Sequence, residues 1–206
     1  RKSVNLAGQR EDAERRERVR LNELKSSIEA MIEANPELRP FRNQLLLDVT
    51  AEGLRIQIVD EKNRPMFDSA SSDLKAYTRE ILHQIGYVLN QVENRISLSG
   101  HTDATPFAGG ERGFGNWELS TMRANASRRE LLVGGMAESK VLRVVGLAST
   151  IPFDKDDPYN PANRRISIVV LNKRAEQALL SDGKQVEVDA ADQVNTRMLS
   201  GADQGS

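Results

Sequence analysis

The sequence predicts an α/β (α+β) fold, a two-layer sandwich in which a mixed β-sheet carries helices on one face, with an N-terminal helix and a β-hairpin added to it. Three observations predict this. Leu45-Leu47-Val49 and Leu54-Ile56-Ile58 alternate with polar neighbours on either side of Ala51-Glu52-Gly53, the pattern of a hairpin with one buried face. Leu74, Tyr77, Ile81, Ile85 and Val88 then recur at helical spacing. Beyond them the order runs strand, helix, strand, strand, helix, so the sheet gathers strands from separate stretches of chain.

Taken in order, Arg1 to Gln9 shows no periodicity and is expected to be loose. Arg10 to Arg20 is almost all charge, with Glu11/Arg15, Asp12/Arg16 and Glu14/Arg18 at the four-residue spacing of helical ion pairs. Leu21, Leu24, Ile28 and Met31/Ile32 continue it as a narrow apolar stripe, which predicts a helix from about Glu11 to Asn35, stopped by Pro36. Its charged first half has nothing to bury and is expected to project away from the globule. After the hairpin, Asn63 to Ser72 is a loop, and the helix over Asp73 to Asn90 has Ser72 or Asp73 available as N-cap. His83 lies off its apolar stripe and is read as a surface residue. Strand Ile96 to Ser99 follows. A glycine-rich loop leads to a helix from Asn116 or Trp117 to Val133, with Leu119, Met122, Ala126 and Val133 facing the core and Gly134-Gly135 ending it. Lys140 to Arg143 is read as a helical turn, Val144 to Ser149 as a strand, Thr150 to Asn163 as a loop, Arg165 to Leu171 as the most β-prone strand, and Lys173 to Leu180 as a short helix. The expected organisation is a linker and helix over 1–43, a domain over 44–180, and a polar, disordered tail over 181–206.

Composition excludes several functions. The 29 basic and 30 acidic residues nearly cancel, so no global field points to nucleic acid or an anionic membrane. Aromatic residues make up 4%, too few for an extended base-stacking platform. With no cysteine and two histidines, thiolate chemistry is absent and a histidine-rich metal site is not expected; no cofactor is implied. No apolar run approaches the ~20 residues that span a bilayer, and no signal peptide is visible. The chain opens on Arg1 rather than Met, so a fragment or processed product is expected.

The chemistry concentrates between Ile96 and Arg123. The strand ends in Gly100-His101-Thr102-Asp103, close to where the next helix begins, and such edges present backbone amides and a partial positive charge outward. Asn116, Ser120 and Arg123 recur at steps of four and three on one helix face, read as opposite the stripe of Leu119, Met122 and Ala126. Asn116 can cap the helix, and the planar guanidinium of Arg123 suits a carboxylate. With Asp103 nearby, the pair would take a zwitterion: carboxylate on Arg123 and the helix start, ammonium on Asp103. The same residues would equally form an internal Asp103–Arg123 salt bridge that only pins the loop.

Rival sites are weaker. Gly109-Gly110-x-x-Gly113-x-Gly115 matches a phosphate loop in composition only, since no Gly-Lys-Ser/Thr follows. His101 and Asp103 with Ser97, Ser99 or Ser120 would make a hydrolase, but no Gly-x-Ser-x-Gly elbow is present. Trp117 stands where it would stack on a sugar or pack in the first helical turn.

Gly100-His101-Thr102-Asp103, then Asn116-x-x-Leu119-Ser120-x-x-Arg123-Ala124, then Asn163-Arg164-Arg165-Ile166 resemble, in order, the signature of the OmpA-like peptidoglycan-binding domains. The resemblance covers roughly Pro65 to Leu171. The stretches around these motifs, and EGLRIQIVDEKNRPMF in the hairpin, resemble the branch of that family found in flagellar motor stators. The resemblance implies an OmpA-like sandwich and a non-catalytic clamp on the diaminopimelate of the peptidoglycan stem peptide. Asp103 would hold the ammonium and Arg123 the carboxylate, Thr102, Asn116 and Leu119 would add contacts, and Arg164 would border the pocket. It further implies a homodimer in the periplasm, joined to a MotA partner through a single inner-membrane helix absent from this chain. One departure stands out. The Asp103–Arg123 interval is longer than the family pattern, and the Pro106 to Gly115 loop, with four glycines, would either cover the pocket or hold it incomplete. The alternatives implied are a peptidoglycan-active hydrolase using His101 and Asp103, or a dimerisation module without ligand.

Overall fold

The hairpin forms as its alternation predicts: β1 (Leu45–Thr50) runs antiparallel to β2 (Gly53–Val59), Leu45 opposite Ile58 and Val49 opposite Leu54. In this computed structural model, which describes residues 2–108 and 112–182, the remaining strands are β3 (Ile96–His101), β4 (Val141–Gly146) and β5 (Arg165–Leu171). They assemble into one mixed sheet of order β1-β2-β5-β3-β4, antiparallel throughout except for the parallel β3–β4 pair. Three helices accompany it, α1 (Lys2–Ala34), α2 (Ala76–Leu89) and α3 (Asn116–Val133). Residues 173–182 are helical and belong to a second unit that begins at Lys173; the expected tail lies almost wholly outside the described residues.

One face of the sheet supplies the core. Leu54, Ile56 and Ile58 of β2, Ile96 and Leu98 of β3, and Ile166, Ile168 and Val170 of β5 are buried in a single apolar cluster with Ile81, Leu82 and Ile85 of α2 and Leu131 of α3. The docked half of α1 joins the same cluster through Leu21, Leu24, Ile28 and Ile32. Helices on one face of a mixed sheet are therefore what the chain builds. The other face is polar: Arg55 pairs with Asp48, Arg165 donates to Gln57, Arg143 to Ser97, and Ser99 bonds His101.

Several sequence expectations need correction. α1 begins at Lys2, where a loose segment was expected; once the docked half has nucleated a helix, each added residue gains a hydrogen bond at little cost. The N-cap of α2 is Lys75, without a side-chain cap, rather than Ser72 or Asp73. β4 starts at Val141, so the turn before it is the short 3-10 segment Glu138–Lys140. Its Leu142 and Arg143 lie on an edge strand, where the pairing with β3 outweighs a weak helical pattern.

The largest correction concerns α3. Met122 and Val133, expected inside, are 45% and 69% exposed. The buried face instead holds Leu119, Ser120, Arg123, Ala124, Ala126, Ser127 and Leu131. The reason is how closely α3 approaches the sheet: a Cβ on Gly100 would stand 2.1 Å from the Ser120 carbonyl oxygen, and one on Gly146 would stand 2.1 Å from Thr121 Oγ1. Glycine on the strands and small side chains on the helix let the two backbones meet, and that face does not read as hydrophobic. Ser120 and Arg123 thus lie on the packed side of α3, not opposite it. His83 is likewise not a free surface residue: its Nε2 meets Glu130 Oε2 at 2.5 Å, joining α2 to α3.

Candidate functional site

The first residues after β3 carry the acid. Thr102 donates its N–H to the Ala148 carbonyl, and Ala104 donates to Pro158, so the exit from the strand is fixed on both sides of Asp103. The Pro158 loop is folded around Asn163, whose Oδ1 accepts the Asp154 N–H and whose Nδ2 donates to Asp157 O. Asp103 is 7% exposed. Its Oδ1 accepts the Thr105 N–H at 3.0 Å and its Oδ2 accepts Arg164 Nη1 at 2.6 Å. The Thr102 hydroxyl beside it is buried without a hydrogen-bond partner.

Arg123 comes from the buried side of α3 and is also 7% exposed. Its Nε donates to Ser71 O at 2.8 Å and its Nη2 to Asp68 O at 3.4 Å, while the guanidinium carbon lies 4.7 Å from the centre of the Phe67 ring. Its hydrogen bonds go to carbonyls, and no salt bridge to Asp103 forms. Burial lowers the pKa of Arg123, while Asp60 and, less strongly, Asp103 raise it and Arg164 lowers it further. Asp60, Asp103, Arg164 and Arg123 therefore form one electrostatic cluster.

Arg164 does more than border a pocket. Its Nε donates to Asp60 Oδ2 at 2.9 Å while its Nη1 holds Asp103, so one guanidinium bridges two carboxylates. The two acids raise its pKa against the opposing effect of burial. Asp60, at the end of β2, was not singled out from sequence; an acid closing the apolar run Leu54-Ile56-Ile58 was the available signal. Nor was the 60–72 loop, which supplies Asp60, Phe67 and the Asp68 and Ser71 carbonyls. Its partners lie about fifty residues or more away in sequence, beyond the reach of local pattern.

The other expected residues line the start of α3. Gly115, rather than Asn116, holds the N-cap position; Asn116 Nδ2 donates to Thr105 O at 3.0 Å, tying both ends of the 106–115 loop together. Phe107 and Phe114 pair across the same loop base at 5.1 Å. Glu118 accepts the Gly115 N–H at 2.8 Å and is held below the usual carboxylate range by that bond. Leu119 is buried beneath, and Trp117 is 55% exposed. The hydrolase reading finds Ser99 Oγ bonded to His101 Nε2 at 3.1 Å but no acid behind the histidine: His101 Nδ1 has no partner, and Asp103 is engaged by Thr105 and Arg164. Among the described residues no cluster suited to a metal ion occurs, and no helix is long and apolar enough to cross a membrane.

Residues 66–165 match the OmpA family model. A truncated flagellar export/assembly protein of Escherichia coli (strain K12), LafU, is 35% identical over 164 residues, which is 77% of this chain and 72% of that protein. The chain belongs to the OmpA family. It is also 54% identical over 171 residues to Motility protein B of Escherichia coli (strain K12), covering 83% of this chain and 56% of that protein. The chain thus spans about half the length of that curated relative. Among solved structures, a MotB-like protein from Desulfovibrio vulgaris superposes with a TM-score of 0.63 over 77% of this chain and 98% of that one. At 17% identity that likeness shows the shared fold. The OmpA-type match contains Thr102, Asp103, Asn116, Leu119, Arg123 and Arg164, and begins six residues after Asp60.

Proposed function

We propose that this chain is the periplasmic, wall-binding part of a flagellar motor stator protein, a non-catalytic anchor that grips the diaminopimelate of the peptidoglycan stem peptide. The observation that carries the reading is the unequal treatment of the two arginines. Arg164 is satisfied by two carboxylates, whereas Arg123, just as secluded from solvent as Asp103, has carbonyls and a ring for partners. A guanidinium with no carboxylate bonded to it among the described residues, in one electrostatic cluster with an acid, suits the two ends of an amino-acid zwitterion. In this reading the ligand carboxylate docks on Arg123, its ammonium on Asp103, and Thr102, Asn116 and Leu119 shape the mouth.

A single clamp of this kind is weak, because charged groups lose hydration on docking. Two tethered copies would gain about 10²-fold or more in avidity, a physical reason for a homodimer. The partner MotA would be reached through a membrane helix of the parent protein. α1, whose residues 6–16 are exposed, would serve as the strut between membrane and wall.

Retention of purified protein on peptidoglycan sacculi tests this. Asp103→Ala and Arg123→Ala should each weaken retention at least about tenfold with the circular dichroism unchanged, since a charge-assisted hydrogen bond is worth roughly 1.5–3 kcal/mol. Unchanged retention in both variants would leave a dimerisation module without ligand. Release of soluble muropeptides by the wild-type chain would establish a hydrolase instead.

A further inference from the structure

Asp60 lies outside the matched family region, at the end of a different strand from the GHTD acid, and is 5% exposed. A buried carboxylate is retained at a cost unless its oxygens are engaged. Both are: Oδ1 accepts the Met66 N–H at 2.8 Å and Oδ2 accepts Arg164 Nε at 2.9 Å. Arg164 then reaches Asp103 with Nη1 alone. A carboxylate has about four acceptor directions, and Asp103 uses two, one for Thr105 and one for Arg164. The four charges of the cluster sum to zero.

We propose that Asp60 is a positioning residue that sets the charge selectivity of the site: by anchoring Arg164 through Nε, it prevents that guanidinium from closing a two-pronged pair on Asp103, and so keeps Asp103 open to an ammonium. The inference rests on the zwitterion reading above. Without Asp60 the cluster carries one net positive charge, and Arg164 is free to turn its full fork onto Asp103, the geometry guanidinium and carboxylate prefer. Both changes act in one direction. They weaken the hold on an ammonium and leave, or improve, the hold on a carboxylate.

The test uses the whole chain and two synthetic tripeptides, L-Ala-γ-D-Glu-diaminopimelate and its analogue ending in 2-aminopimelate, whose one amino group is taken up in the peptide bond, so that it keeps the carboxylates and lacks the ammonium. Affinities are read by NMR titration. The wild type should prefer the first peptide by at least about tenfold, the size of one charge-assisted bond. Asp60→Asn should reduce that preference to within about threefold, mostly by losing affinity for the diaminopimelate peptide. Asp60→Glu, which keeps the charge, should retain a preference. Because Asp60 acts through Arg164, adding Asp60→Asn to Arg164→Gln should change the affinity no further, whereas independent sites would add. That last comparison stands even if Asp60→Asn alone fails to fold, since the double variant removes both charges together. A folded Asp60→Asn that keeps the wild-type preference, or losses that add between Asp60→Asn and Arg164→Gln, would overturn the inference. Asp103→Ala run alongside separates the two levels: if it binds the diaminopimelate peptide like wild type, the zwitterion reading itself fails.

Discussion

Two regions of this molecule are withdrawn from water and built from opposite materials. Between sheet and helices, Leu54, Ile56, Ile58, Leu98 and Ile168 are fully buried against apolar neighbours. Where β2 and β3 end and β5 begins, with α3 beside them, Asp60, Asp103 and Arg123 are buried too, gathered around the half-buried Arg164. The first layer gains roughly 1.5–3 kcal/mol for each large side chain withdrawn from water. The second loses hydration energy and recovers it only where partners are well placed. The comparison teaches a division of labour: the apolar layer stabilises, and its surplus holds in place a charged cluster that does not need to stabilise anything.

The largest expected effect lies in the first region. Ile168→Ala removes a side chain with no exposure from the middle of β5 and should lower the unfolding free energy by about 2–5 kcal/mol, measured by urea titration. At a temperature where the variant is still folded, its retention on sacculi should match wild type. Retention falling in step with stability would erase the distinction between the regions.

His101 gives the next largest effect, because it is a polar-face residue buried as if it belonged to the core. Its Nδ1 is buried without a partner, and burial, helped by the positive charge of Arg165, lowers its pKa from the ordinary 6.5 to about 4. The folded value lies below the unfolded one, so the unfolded chain takes up the proton first. The associated stability is complete above pH 6.5 and is lost as pH falls toward about 4. The loss should approach roughly 3 kcal/mol, since each pH unit separating the folded and unfolded titrations is worth about 1.36 kcal/mol. Thermal melts of wild type and His101→Gln across this window should converge in acid sensitivity if another group is responsible, and diverge if His101 is.

The two regions also differed in how far the sequence disclosed them. The apolar layer was readable because period two in Leu54-Ile56-Ile58 and period 3.6 in Leu74-Tyr77-Ile81-Ile85 are local signals. It failed at α3, where Gly100 and Gly146 draw Ser120 and Ala124 into contact, and small residues leave no hydrophobic trace. Of the charged cluster, Asp103, Arg123 and Arg164 could be named through motif resemblance, and Thr102, Asn116 and Leu119 with them. What could not be read was who pairs with whom. The expected internal alternative joined Asp103 to Arg123; the structure joins Asp103 to Arg164 and Arg164 to Asp60, across intervals of 61 and 104 residues. Pairing over such distances is fixed by strand order, with β5 placed between β2 and β3, and no spacing rule contains that.

The smallest expected effect on stability is also the most discriminating. Arg123→Met removes a buried charge that no carboxylate among the described residues pairs with directly, and substitutes a side chain of similar length able to lie against Phe67. The Ser71 carbonyl loses its Arg123 donor and the Asp68 carbonyl keeps only the Ser71 N–H, which costs about 1–3 kcal/mol at most, while the desolvation that depresses the pKa of Arg123 is relieved. These oppose each other, so the net change should lie within about 1 kcal/mol, a shift of some 2–4 °C in Tm for a chain of this size. Retention on sacculi should nevertheless fall as far as in Arg123→Ala. If Arg123→Met instead costs as much stability as Ile168→Ala, then Arg123 is a structural pillar of the 60–72 loop, and the contrast between a layer that stabilises and a cluster that binds collapses at its most informative residue.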